Sequence, residues 1–414
     1  MTKHAMAAQA AKPAAALDEV PDPVTTSLMT PAMTFIMAAA CGLVAANLYY
    51  AQPLAGPIGA AIGLPAGATG LIVTLTQIGY GLGLLLIVPL GDLLENRRLI
   101  VTMIAAVTIA LICAGLSTSA LPFLAASLAI GLASTAVQMI VPFAANLAPD
   151  AIRGRVVGNV MSGLMIGIMM ARPVASFIAR FSSWHLVFFL SAAVMIVLGL
   201  VLASRLPHRR PKTHLTYGGL LASMGNLYAT QPVLRRRAFY QFCQFGTFSL
   251  FWTVTPLVLA GPAFQLTQAG IALFALAGVA GAIASPIAGR LSDKGLSRPA
   301  TLAGIGAAVL GYLITHIAPE GSTLALALLT LAAILIDFGT TMTLVTGQRA
   351  IFGLGHDLRS RLNGLFMATF FVGGALGSAV GAWAFAEGGW LLASSFGLGL
   401  PVIAFVYSLT EKRH

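Results

Sequence analysis

The hexapeptide Arg153-Gly154-Arg155-Val156-Val157-Gly158 returns as Arg359-Ser360-Arg361-Leu362-Asn363-Gly364, each copy opening a long apolar stretch. The same offset superposes Met161 on Met367 and Gly167 on Gly373. A second echo lies upstream, where Gly91-Asp92 ahead of Arg97-Arg98 is answered by Gly289 to Gly295, with Asp293 and Lys294 inside it. A chain written twice in mostly apolar units of roughly 200 residues is expected to fold as two similar helical bundles facing one another across a shared site.

The apolar stretches set the solvent. Hydrophobic residues make up 58% of the 414 and charged residues 8%, against roughly 25% charged in a soluble domain. A spanning helix takes about 20 mostly apolar residues. On that measure twelve segments qualify: 32–52, 67–91, 98–117, 121–145, 155–179, 184–203, 239–260, 267–290, 299–318, 322–347, 361–386 and 389–409. Lipid offers no hydrogen-bond partners, so these are expected as helices, and the lack of alternating polarity excludes a β-barrel. The predicted fold class is all-α, integral to a membrane, with twelve transmembrane helices in two pseudo-symmetric six-helix bundles.

With both termini on the cytoplasmic side, all but two of the 23 lysines and arginines fall on that side. The exceptions are Arg172, inside a span, and Arg180, beside an outer turn. This asymmetry is the positive-inside pattern, so the net charge of +11 reflects topology and anionic lipid, with no nucleic-acid partner expected. The expected organisation is a disordered cytoplasmic tail at 1–30, an N-terminal bundle at 31–203, a basic, proline-bearing linker at 204–238, a C-terminal bundle at 239–410 and a short cytoplasmic tail at 411–414. Part of the linker is expected as a helix lying on the membrane surface. Cys41, Cys113 and Cys243 sit at unrelated positions and imply neither a disulfide framework nor a metal site.

Six-plus-six helices, a long central loop and the turn Gly289-x-Leu291-x-Asp293-Lys294 together resemble the major facilitator superfamily, over residues 31–410. The stretches Asn47-Leu48-Tyr49-Tyr50-Ala51-Gln52-Pro53-Leu54 and Gln77-Ile78-Gly79-Tyr80 are similar to its drug/proton antiporter and sugar-efflux branch. The resemblance implies a secondary transporter in the inner (cytoplasmic) membrane, exporting a small amphipathic molecule or a sugar by alternating access coupled to protons. Its expected partners are that small-molecule substrate, protons and membrane lipids; it implies no cofactor, no metal and a monomer. Two departures stand out. Arg172 precedes Pro173 in the fifth span where antiporters carry Gly, and the fourth span lacks any charge, so an antiporter-type Arg there is absent. An importer or a uniporter of an organic solute remains the alternative. An integral membrane enzyme is the rival from another class, although no cluster of histidines and acids and no Walker sequence supports one.

Asp92 and Asp293 end helices beside Arg97, Arg98 and Lys294 at equivalent places in both halves, which marks these five as a candidate cytoplasmic gate. The Gly373-x-x-x-Gly377-x-x-x-Gly381 ladder in the eleventh span offers a face that lets another helix approach closely. Two charges lie deep in spans, Arg172 and Asp337. Mid-membrane charge costs at least about 2.5–3.5 kcal/mol, so both should face protein or a cavity. Asp337 is the candidate proton or cationic-substrate site; a structural partner for Arg172 is the other reading. Arg172 either serves the cavity, binding an anionic substrate or holding a carboxylate in its charged form, or is structural, snorkelling outward or bonding carbonyls freed by Pro173. Asn47 and Tyr50 on one helical face, Gln77, Tyr80, Gln138, Gln241, Gln244, Trp252 and Thr340 are expected to line the cavity, since a buried amide without a partner is costly.

Overall fold

The apolar runs satisfy their backbone groups internally, and among the described residues of the computed structural model, which are 29–149, 152–210, 216–355 and 358–411, every regular element is helical. The tail 1–30 lies outside them except for its last two residues, as does the end of the C-terminal tail at 412–414. Among the described residues, nine helical segments are long and apolar enough to cross a membrane, the last of them, Arg359–Leu409, long enough for two spans. Two further spans, the first and the eighth, start from shorter apolar helices. The first, Pro31–Ala46, starts with Pro31 where no amide donor is needed, and Thr30 caps it by accepting from the Met33 N–H at 3.2 Å. The eighth is built from Gln268–Ala275, a tight turn and Gly281–Asp293. The eleventh and twelfth form one run, Arg359–Leu409, broken at Gly388 and at Gly389, whose φ of 62° is one only glycine adopts readily. Twelve spans result, as the sequence implies.

The seventh helix differs from its predicted bounds, running Pro232–Ala260. Pro232 pre-sets the first turn, and the arginines that follow extend the helix past its apolar part. Arg237 pairs with Glu411 at 2.7 Å, and the Arg236 guanidinium lies 4.5 Å from the Tyr407 ring centre. Within the linker, Tyr217–Thr230 is a helix with Leu220, Met224 and Leu227 buried. Tyr217 donates to the Leu86 carbonyl at 2.9 Å and Arg361 bonds Ser223, so this helix ties the basic end of the second span to that of the eleventh.

The repeat in sequence becomes a repeat in packing. In the first half, spans one and five cross so closely that a Cβ on Gly167 would strike the Gly42 backbone, and one on Gly163 the Ala38 backbone. In the second half, Gly373 meets the Phe242 backbone and Gly377 meets Gly246, so the eleventh span crosses the seventh by the same device. Gly381 faces Leu250 on the same side. Spans two (Leu71–Leu86) and eleven pack along one another, joining the halves. Gln268–Ala275 packs on the fifth span, Arg153–Phe181, whereas Gly281–Asp293 turns to the tenth, Thr323–Phe352. On the side of spans five and eight, the halves therefore meet at the end poor in cations. An apolar cluster spans the joint, bringing Tyr49, Tyr80 and Ala171 of the first half against Phe245, Phe251 and Trp252 of the second.

Candidate functional site

Arg172 and Asp337 come together at this joint, 3% and 5% exposed, with the indole of Trp252 between them. The Arg172 guanidinium carbon lies 4.6 Å from the Trp252 ring centre, 5.0 Å from that of Tyr49 and 5.1 Å from that of Phe248. Three aromatic faces thus supply negative potential to a buried cation. Its Nε donates to Gln52 Oε1 at 2.7 Å. Neither outward snorkelling nor a bond to carbonyls near Pro173 is what holds it. On the other side, Trp252 Nε1 donates to Asp337 Oδ1 at 3.2 Å. Arg172 Nη2, Gln52 Nε2 and Asp337 Oδ2 have no hydrogen-bond partner. The two charges are neighbours that do not bond each other.

Asn47 and Tyr50 do not flank this site. Past Ala46 the winding tightens, with the Asn47, Leu48 and Tyr49 amides donating three residues back at 3.3, 3.1 and 3.0 Å. The predicted α-helical face is therefore lost. Asn47 turns into its own half, its amide nitrogen bonding the Leu43 and Val44 carbonyls and its Oδ1 accepting from Ser191 at 2.5 Å. Ser191, on the sixth span (Trp184–Arg205), also lies beside the Tyr50 hydroxyl. Tyr49 and Gln52, not predicted, take their place beside Arg172. Their sequence signal was their place in the Asn47–Leu54 stretch that resembles the efflux branch.

Gln77 sits at the joint, donating to Ser249 of the opposite half at 2.8 Å. Gln138 donates to the Tyr80 hydroxyl at 3.1 Å, and the Tyr80 ring packs on Phe371 at 4.4 Å between centres. Gln241 and Gln244 instead bond within the second half, to the Thr340 carbonyl at 3.4 Å and the Gly304 carbonyl at 3.2 Å, and Thr340 returns a bond to the Gln244 carbonyl at 3.3 Å. Their Oε1 atoms, like that of Gln77, remain buried without a partner.

At the cation-poor end the halves are sealed by Thr74 and Ser378, whose hydroxyls are 2.7 Å apart. Thr74 also donates to the Ala375 carbonyl at 3.1 Å, and Ser378 to the Gly70 carbonyl at 3.1 Å. At the basic end the five gate residues divide. Asp293 pairs with Arg349 of its own half, both side chains largely exposed, and Lys294 is exposed. Arg97 bonds the Ala203 and Leu206 carbonyls and His208 at the end of the sixth span. The backbone of Arg98 donates to Glu95. Only Asp92 feels a cation of the other half, Arg361, along with Arg209. Glu95, a residue the sequence did not flag as a cap, accepts from the amides of Arg97, Arg98 and Arg209 at 2.9, 2.7 and 3.2 Å. Burial opposes its charge, but these donors win and hold its carboxyl below the usual range. The cap is thus complete at neutral pH and lost as pH falls through the depressed value.

Comparison with known proteins places this arrangement. The family model of the Major Facilitator Superfamily matches residues 34–354 and again 238–414. The chain belongs to the Major Facilitator Superfamily. It is 38% identical over 363 residues to the uncharacterized transporter YgaY of Escherichia coli O157:H7, covering 87% of this chain and 91% of that one. It is 30% identical over 357 residues to the probable transporter SCO4007 of Streptomyces coelicolor, covering 86% and 82%. Among solved structures, the nucleoside transporter NupG superposes with a TM-score of 0.76 at 14% identity over 92% of this chain and all of that one. The human organic anion transporter MFSD10 superposes with a TM-score of 0.68 at 16% identity, with the same coverage. At such identities these two report the fold alone. As a Major Facilitator Superfamily member the chain is a multi-pass membrane protein and a secondary transporter of small molecules, which sets aside the enzyme reading.

Proposed function

We propose that this transporter exports a small amphipathic molecule in exchange for protons, with Asp337 as the proton carrier. The observation that carries the reading is the carboxyl of Asp337, buried at the joint of the two halves with one oxygen on Trp252 and the other unpartnered. A carboxyl at the joint, which rocking of the two halves opens first to one side of the membrane and then to the other, is able to take a proton on one side and release it on the other, which is what alternating access requires. Of the two solute classes that the resemblance implies, the walls favour an amphipathic molecule. Tyr49, Phe248 and Trp252 offer aromatic faces, whereas a sugar would need a denser set of hydrogen-bonding groups. The outward direction rests on the likeness of the Asn47–Leu54 and Gln77–Tyr80 stretches to the efflux branch.

In this reading the Thr74–Ser378 seal is the outer gate, closed, and the basic end faces the cytoplasm. A single cysteine at Ser204, in a chain with Cys41, Cys113 and Cys243 replaced, is expected to react with an impermeant reagent only from the cytoplasm, and one at Glu320 only from outside. Reaction of Glu320→Cys from the cytoplasm alone would overturn the orientation.

Reconstituted vesicles test the coupling, using a panel of amphipathic amines, organic acids, zwitterions and sugars. An acidic lumen is expected to drive accumulation of at least one member against its gradient. Accumulation driven only by acid outside would make the protein a symporter, and flux indifferent to the gradient would make it a uniporter.

A further inference from the structure

The two halves of the central site are unfinished in opposite senses. At one end are two donors without acceptors, Arg172 Nη2 and Gln52 Nε2; at the other is one acceptor without a donor, Asp337 Oδ2. All three atoms are buried, where an unmet polar group is costly. Had the site evolved only to neutralise its charges, Arg172 and Asp337 would meet. Instead each is held through a different atom by a neutral neighbour, Gln52 for the guanidinium and Trp252 for the carboxylate, which keeps the free atoms apart across an indole.

Gly278 adds a second observation. A Cβ at that position would lie 2.8 Å from Asp337 Oδ2 and 3.2 Å from the Trp252 ring, so any larger residue there would press on the free oxygen, and only glycine leaves it clear of a side chain.

Resting on the exchange reading above, we propose that the exported molecule is a zwitterion with an apolar body. Its carboxylate accepts from Arg172 Nη2 and Gln52 Nε2, and its ammonium group donates to Asp337 Oδ2. Charge balance selects this class: the site is neutral when empty and stays neutral when a zwitterion binds. A simple cation would add a charge beside Arg172 and a simple anion one beside Asp337, each in a low-dielectric interior. The aromatic faces around Arg172 pack the apolar body. A proton arriving on Asp337 competes with the ammonium group for Oδ2, which couples release of the solute to entry of the proton.

The test uses matched triplets on one skeleton: phenylalanine, phenethylamine and 3-phenylpropionate; leucine, isoamylamine and 4-methylpentanoate. Binding to the purified full-length protein in detergent is read as the shift in thermal midpoint with ligand concentration. At least one zwitterion is expected to bind roughly tenfold or more tightly than either analogue bearing a single charge, since each loses a charged hydrogen bond. Asp337→Asn should remove the discrimination against the acid, and Arg172→Gln that against the amine. Because Arg172→Gln removes a buried cation and stands to unfold the protein, Gln52→Leu and Gly278→Ala serve beside it. The first should weaken the zwitterion and leave the amine unchanged; the second should weaken both molecules that carry nitrogen and spare the acid. A single-charge analogue matching its zwitterion in the parent protein, or no shift from either triplet, overturns the proposal. Binding here needs no gradient, so failure of proton exchange appears only in the vesicle assay and the two readings fail separately.

Discussion

Asp337→Asn is expected to abolish pH-driven accumulation, reducing it at least about a hundredfold to the level of passive equilibration, while solute counterflow survives. Asparagine has nearly the shape of aspartate, and its Oδ1 can still accept from Trp252 Nε1, a bond of 3.2 Å in the parent. It has no proton to exchange at any working pH. Counterflow needs the halves to rock with solute bound and no net proton movement, so a folded, neutral variant retains it. Asp337→Glu should keep part of the coupling with a displaced pH optimum, because the longer side chain must crowd the Gly278 backbone, which already lies close to the carboxylate. The measurement is accumulation into vesicles with an acid lumen beside counterflow at equal pH. Full pH-driven accumulation by the Asn variant, with parental yield and thermal midpoint, would remove Asp337 from the coupling. The coupling residue would then be sought among the exposed acids at the basic end, such as Asp92.

What was legible in the sequence follows from the kind of physics each feature obeys. The bilayer demands long apolar helices and shuns charge, so the spans, the two deep charges and the glycine crossings could be read from the chain alone. Gly167 and Gly373 were aligned by the repeat and do the same job in the two halves. The hydrogen-bonding capacity of Trp252 and Gln77 is plain from their residue types, and Gln77 reaches across the joint while Trp252 reaches into the charged site. Local winding was less visible. Asn47 and Tyr50 were assigned to the cavity on an α-helical period, and a tightened turn sent them to Ser191 instead. Gly278 matters only because the eighth span carries it against Asp337, a tertiary proximity with no local signal. Gln241 and Gln244, expected to line the cavity, each bond a neighbouring helix of their own half, which satisfies only part of the amide.

The gate charges teach a related point. Asp92 and Asp293 occupy equivalent turns, yet Asp293 pairs within its own half while Asp92 feels Arg361 across the joint. A repeat fixes where such residues stand in each bundle. It does not fix which partner they find, because the two seams between the bundles differ in how far they are closed. Spans two and eleven run side by side, whereas the basic end of the eighth span lies against the tenth and not the fifth.

Arg172→Met is expected to be the most destabilising single change at the site, and its effect should depend on Asp337. The Arg172 guanidinium is the cation beside the buried carboxylate. Without it, Asp337 keeps a single donor, Trp252 Nε1, with Oδ2 still bare. Leaving one member of a buried charge pair alone costs about 3–5 kcal/mol. Methionine fills the volume, so lost packing against Tyr49, Phe248 and Trp252 adds little. Asp337→Asn alone should cost less than Arg172→Met, because Arg172 then keeps Gln52 and three aromatic faces. The double variant removes both charges and should recover most of the loss, giving a coupling energy opposite in sign to the single costs. Thermal midpoints of the four proteins in one detergent provide the cycle. If the two single costs simply add in the double variant, Arg172 and Asp337 do not compensate one another, and the indole between them acts as an insulator and not as the wall of a shared charged site.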